Sequence, residues 1–138
     1  MKAPYMMQTL EAPSLATLRQ RSILDQLQGA WYAVAGRRHC RLLVAGTRYS
    51  FEIEEGNIYI GTFFLDDEAP RQMDMLIEEG PDDVRGLISL CLFHVDGDVL
   101  RWCPTRAGTD IRLRSFPSVE DERYLSLVMK RAPRRRPR

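Results

Sequence analysis

The sequence predicts an all-β fold: an eight-stranded, up-and-down antiparallel barrel with a short N-terminal helix. Three observations predict it. From Trp31 onward, apolar runs of strand length alternate with breaks rich in Gly, Asp and Pro. No 10–15-residue helical pattern separates these runs, so crossover connections are disfavoured and a meander is favoured. Eight strands in one meander close on themselves, because closure removes exposed edges.

The elements follow in order. Residues 1–13 hold Pro4 and Pro13 and no clean period, which predicts a loose N-terminal arm. Ser14 can cap a helix with its hydroxyl, and Leu15, Leu18, Ile23, Leu24 and Leu27 then recur at roughly helical spacing up to Gly29. The apolar stripe is wide and imperfect, so this helix must lean on another element. Strands are expected near 30–36, 40–45, 47–54, 58–65, 71–78, 86–95, 98–103 and 123–130, with a short extended piece near 111–116. The breaks are Ala45-Gly46-Thr47, Glu55-Gly56-Asn57, Asp66 to Pro70, Gly80 to Asp83, and Asp96-Gly97.

One hairpin can be placed in register. Asp96-Gly97 reads as a type I′ turn, which sets Val95 opposite Asp98, Phe93 opposite Leu100 and Cys91 opposite Trp102. Cys91, Phe93, Val95, Leu100 and Trp102 then share an apolar inner face. Leu92, His94, Val99, Arg101 and Cys103 take a mixed outer one. Cys91 and Cys103 fall on opposite faces, so no disulfide is expected between them. The same alternation turns Met73, Met75 and Ile77 inward and Gln72, Asp74 and Glu78 outward. Leu125, Leu127 and Met129 share a face with Arg131, whose stem can pack inside while its head caps something. Around Glu55-Gly56-Asn57 the inner face stays open between Ile58 and Ile60 on one side and Tyr59, Phe63 and Leu65 on the other.

Composition narrows the function classes. The 138 residues carry 20 Lys and Arg against 19 Asp and Glu, a net charge of +1. Lys130, Arg131, Arg134, Arg135, Arg136 and Arg138 concentrate six of those positive charges in the last nine residues. Residues 1–129 thus hold 14 bases against 19 acids. This is an acidic body with a basic tail. A hydrophobic content of 44% and a charged content of 28% are those of a globular domain. No apolar run approaches the ~20 residues that span a bilayer, so no membrane association is expected. The start lacks an apolar h-region, and the cysteines Cys40, Cys91 and Cys103 are odd in number and match no zinc spacing. Reduced thiols and a cytoplasmic location are the expectation.

An ordered set of short motifs now stands out. Leu27-Gln28-Gly29-Ala30-Trp31 opens the first strand after the helix. Gly61-Thr62-Phe63-Phe64-Leu65-Asp66 precedes Pro70, Met73-Asp74-Met75 and Glu79-Gly80-Pro81-Asp82. After Gly86 come Val95-Asp96-Gly97-Asp98-Val99-Leu100, Cys103, Arg112, Phe116 and Leu127-Val128-Met129-Lys130-Arg131. Over about residues 24–131 this order resembles an uncharacterised lipocalin-like domain family found mainly in planctomycete bacteria. The resemblance implies a lipocalin-like (calycin) barrel over residues 14–131, between the arm and a basic tail at 132–138. It implies that the Gly-x-Trp indole of Trp31 packs against Arg131 from the last strand as a structural pair closing one end. The family carries no established activity. This sequence departs from the family pattern near Arg106–Asp110, where a Pro is usual.

Catalytic chemistry finds no support in the residues. The carboxylates Asp66, Asp67, Glu68, Asp74, Glu78, Glu79, Asp82 and Asp83 fall in turns or outward positions, as a solvated rim would. His39 and His94 lack triad or metal partners at a recognisable spacing, and no phosphate loop exists. No enzyme activity, cofactor or metal is expected. Phe51, Met73, Met75, Phe93, Leu100, Trp102, Leu127 and Met129 are the candidates to line a pocket for a small apolar ligand. A barrel of eight strands can also simply be filled by such side chains. The alternative reading is a protein-interaction module that docks through its outer face or through Arg134, Arg135, Arg136 and Arg138. That tail lacks interleaved aromatic residues, which disfavours nucleic acid as its partner.

Overall fold

The computed structural model describes residues 14–133. The helix, α1, spans Leu15–Leu27. Ser14 caps it as expected, its Oγ accepting a hydrogen bond from the Thr17 N–H at 3.1 Å. The second half of α1 is anchored: Leu27 is fully buried and Ile23 and Leu24 pack on the core, while Leu15 and Leu18 stay exposed. Gln28 then ties the helix end to the sheet. Its amide donates to Leu24 O and Gly46 O and accepts from the Gly46 N–H at 2.6 Å.

Eight strands follow: β1 (Gly29–Ala35), β2 (Cys40–Ala45), β3 (Arg48–Ile53), β4 (Ile58–Asp66), β5 (Ala69–Glu79), β6 (Ile88–Asp96), β7 (Val99–Cys103) and β8 (Leu127–Arg131). Each pairs antiparallel with the next, and β8 returns to β1 to close the barrel. Closure satisfies the backbone groups that an edge would leave unpaired. At one end the strands join through two-residue turns at Gly46-Thr47, Asp67-Glu68 and Gly97-Asp98, and α1 packs there. At the other end the connections are longer: 36–39, 54–57, 80–87 and 104–126.

The inner faces follow the period-2 pattern. Cys40, Leu42 and Val44 of β2, Met73, Met75 and Ile77 of β5, Cys91 and Phe93 of β6, Leu100 and Trp102 of β7, and Leu127 and Met129 of β8 are all buried. On β4 the inner set is Tyr59, Gly61, Phe63 and Leu65, leaving Ile58 and Phe64 exposed. Gly61 explains why alternation alone could not decide. The β4–β5 register shifts between Ile60 and Gly61, and a Cβ on Gly61 would stand 1.8 Å from the Leu76 carbonyl oxygen.

Three expectations are corrected. The β6–β7 turn lies on Gly97-Asp98, with Asp96 opposite Val99, Val95 opposite Leu100 and Phe93 opposite Trp102. Gly97 has φ +59° and Asp98 has no positive φ, which fits a type II′ turn rather than I′. The pairing moves by two residues, so both faces survive unchanged. The last strand begins at Leu127, and residues 111–116 form no strand. Segment 104–126 instead runs as a strap over the outside of the sheet. Arg112 pairs with Asp74 of β5 at 2.5 Å. The Arg101 guanidinium lies 4.6 Å from the Phe116 ring centroid and donates to Pro117 O and Ser126 Oγ. This covering buries Leu92 and Cys103 although they point out of the barrel. Cys91 points inward, and all three thiols are free.

Candidate functional site at the open end of the barrel

The two ends differ in what fills them. At the plugged end Trp31 is 1% exposed, and its indole N–H donates to Leu27 O at 2.9 Å. Arg131 lies opposite Trp31 in the β1–β8 register, with its guanidinium 4.2 Å from the indole centroid. The same guanidinium donates to Gln26 O at 2.6 Å, to Gln28 O, and to the Asp98 carboxylate at 3.1 Å. One side chain thus ties the helix end, the first and last strands and the β6–β7 turn. Between α1 and the β4–β5 turn, beside Ile23, Leu65 and Phe93, lies a small pocket of about 30 Å³.

At the open end a cavity of about 320 Å³ enters the barrel between β3, β4, β5 and β7. Its walls carry five aromatic side chains: Tyr49, Phe51, Tyr59, Trp102 and Tyr124. Phe51 stacks against Tyr59 with centroids 6.0 Å apart and meets Trp102 edge-on at 4.7 Å. Ile53, Met75, Ile77, Val84 and Leu125 add to the apolar surface, and Arg106 and Arg123 stand among the lining from the long connection. The lip of this connection is fixed on β6: Ser89 Oγ donates to Thr105 O at 2.6 Å, Thr105 Oγ1 donates to Leu90 O, and the Gly108 N–H donates to Ile88 O. Tyr49 is held by a hydrogen bond from its hydroxyl to Leu76 O, and burial pushes its pKa upward.

Of the eight residues expected to line a pocket, Phe51, Met75 and Trp102 do so. Met73, Phe93, Leu100, Leu127 and Met129 do not. They form solid core, each at most 2% exposed. Met73, Phe93 and Leu100 sit nearer the plugged end, and Leu127 and Met129 lie on β8 between β1 and β7, away from the β3–β4–β5 side where the cavity enters. The sequence reading missed Tyr49, Tyr59, Ile53, Tyr124, Arg106 and Arg123. Tyr49 and Ile53 share the parity of Phe51 and were in principle visible; the other four required the β4 face or the loop path. Trp31 and Arg131 form the expected pair, far from the cavity in strand position. Arg134, Arg135, Arg136 and Arg138 lie outside the described residues, as does the arm at 1–13.

The three thiols lie outside the cavity lining. Burial raises Cys91 to about 12, and Cys40 and Cys103 to about 11, so all three remain protonated near neutrality. Among the described residues the buried Trp102 indole N–H meets no conventional hydrogen-bond acceptor; the Cys91 sulfur feels it only as a weak acceptor. Among the described residues no group of three or more His, Cys, Asp or Glu side chains could hold a metal ion. No helix of the described residues is long and apolar enough to cross a membrane.

A closed eight-stranded antiparallel barrel with one short helix is consistent with an all-β lipocalin-like architecture. No family model matches the chain, and comparisons with curated proteins and with solved structures find no match.

Proposed function

We propose that this protein is a non-enzymatic binding barrel of the lipocalin-like kind, taking a small apolar ligand into its open end. The observation that carries this is the cavity of about 320 Å³ with five aromatic walls, set above a solid core. Ligand pockets run from ~300 to ~1,000 Å³, so this one suits a small molecule. Its polar groups stand among an apolar lining, the arrangement that orients a ligand rather than one that reacts with it. Similarity to the planctomycete lipocalin-like family belongs to the same proposal. Uptake of a neutral solvatochromic dye, its displacement by small apolar competitors, and native mass spectrometry test it. Saturable one-to-one uptake is expected; absence of both uptake and bound mass overturns it.

A second reading, docking on a protein partner, is supported by the exposed apolar side chains Tyr32, Val34 and Leu43 on the outside of β1 and β2. Pull-down with the full chain and with residues 132–138 deleted separates outer face from tail.

A further inference from the structure

The lining of the open-end cavity contains two arginines and no carboxylate. That is a local reversal of sign, because residues 1–129 carry an excess of acids. The two arginines differ. Arg123 is already answered: its Nε and NH2 donate to the two Asp121 oxygens at 3.1 and 2.9 Å. The Asp121 carboxyl is correspondingly lowered to about 2, chiefly by hydrogen bonding from Arg123. Arg106 has no ion pair and no side-chain hydrogen bond among the described residues. Its backbone is nevertheless fixed, since its carbonyl accepts from Thr109 Oγ1 at 2.8 Å and the neighbouring Thr105 is pinned to β6. An exposed, unanswered guanidinium on a fixed backbone, lining an aromatic cavity, has a preferred ligand. It presents a planar fork of donors that matches a carboxylate.

We propose that the cavity selects an apolar monoanion, with its apolar body against the packed rings of Phe51, Tyr59 and Trp102 and its carboxylate head at the mouth on Arg106. This rests on the ligand-binding reading above. The arrangement keeps the charged head in partial contact with water, where its desolvation cost is small. The body enters where rings offer stacking and edge contacts. A volume near the lower limit for ligand sites fits one or two fused rings rather than a long lipid.

Calorimetry on the full chain with 2-naphthoate and its neutral counterpart 2-naphthamide tests this. At low salt naphthoate is expected to bind about tenfold more tightly, the size of one charge-assisted hydrogen-bonded contact. The preference shrinks at high salt. Arg106→Gln brings naphthoate down to the naphthamide level, with circular dichroism confirming the fold. Asp121→Asn releases Arg123 and enlarges the preference. Equal binding of the two probes, or a preference that survives Arg106→Gln, overturns the monoanion proposal and leaves the cavity reading standing. Binding of neither probe overturns both.

Discussion

At the plugged end of the barrel two-residue turns and α1 frame a pocket of about 30 Å³; at the other end longer connections surround one of about 320 Å³. The same eight strands run through both. The difference lies in what joins them. Short turns draw strand ends together and let Trp31, Leu27 and Arg131 fill the floor. The connections at 80–87 and 104–126 carry their own side chains outward and form a lip instead. Packing at one end therefore supports an opening at the other: the strands are held by the plug, so the aromatic walls need not collapse onto one another.

The sharpest test of that contrast removes the plug. Trp31→Ala should cost about 3–5 kcal/mol, as deletions of large buried aromatics do, read as a shift in urea midpoint. A loss below about 1 kcal/mol would show that the floor is not what holds the barrel. Arg131→Ala should cost about 2–3 kcal/mol, since it strips charge-assisted hydrogen bonds from three backbone carbonyls, at Gln26, Gln28 and Gly97. Arg131→Lys should recover less than half of this, because one ammonium cannot reproduce the fork.

A third test uses pH. Cys91 lies on the inner face with its pKa raised by burial from 9.0 to about 12. Below pH 9 the thiol is protonated in both the folded and unfolded chain and contributes no slope. Between about 9 and 12 the unfolded chain loses the proton and the folded one keeps it, so stability falls as pH rises. Denaturation of wild type and Cys91→Ala across this window should give the steeper fall for wild type. Parallel curves would mean that the thiol ionises without unfolding. The smallest effect belongs to the open end: Tyr124→Ala, at a half-buried lip position, should cost under about 1 kcal/mol yet weaken dye uptake severalfold. Loss of stability without loss of uptake would make Tyr124 a structural residue and move the mouth elsewhere.

These contrasts also show what a sequence can reveal. Inward Met73, Met75, Phe93, Trp102 and Met129 were legible because strand side chains alternate with period 2. Arg131 was legible because a charge at the end of an apolar stripe demands a partner. The β6–β7 turn was misplaced by one residue, since Asp96, Gly97 and Asp98 offer overlapping turn chemistries; the pairing therefore moves by two, and parity protects the faces from that error. The face of β4 was hidden by the bulge at Gly61, which shifts the register with Leu76 and Ile77. The strap was hidden more deeply. Nothing local in residues 104–126 announces that Arg112 reaches Asp74, or that Phe116 stacks on Arg101. The cavity inherits both difficulties, because its lining combines strand parity with the path of that strap.

The β1–β8 pairing has a further consequence, for how the chain is made. Trp31 meets Arg131 in register, so the ring closes only between residues from opposite ends of the barrel sequence. Contacts of such separation form slowly because a long loop must be ordered first. Until Leu127–Arg131 leaves the ribosome, β1 and β7 are both open edges, and the Trp31 indole has no guanidinium above it. A nascent chain stalled before β8 therefore exposes two pairing templates and an unplugged floor at once. Five residues of late-synthesised strand decide whether the product is a sealed barrel or a sticky sheet.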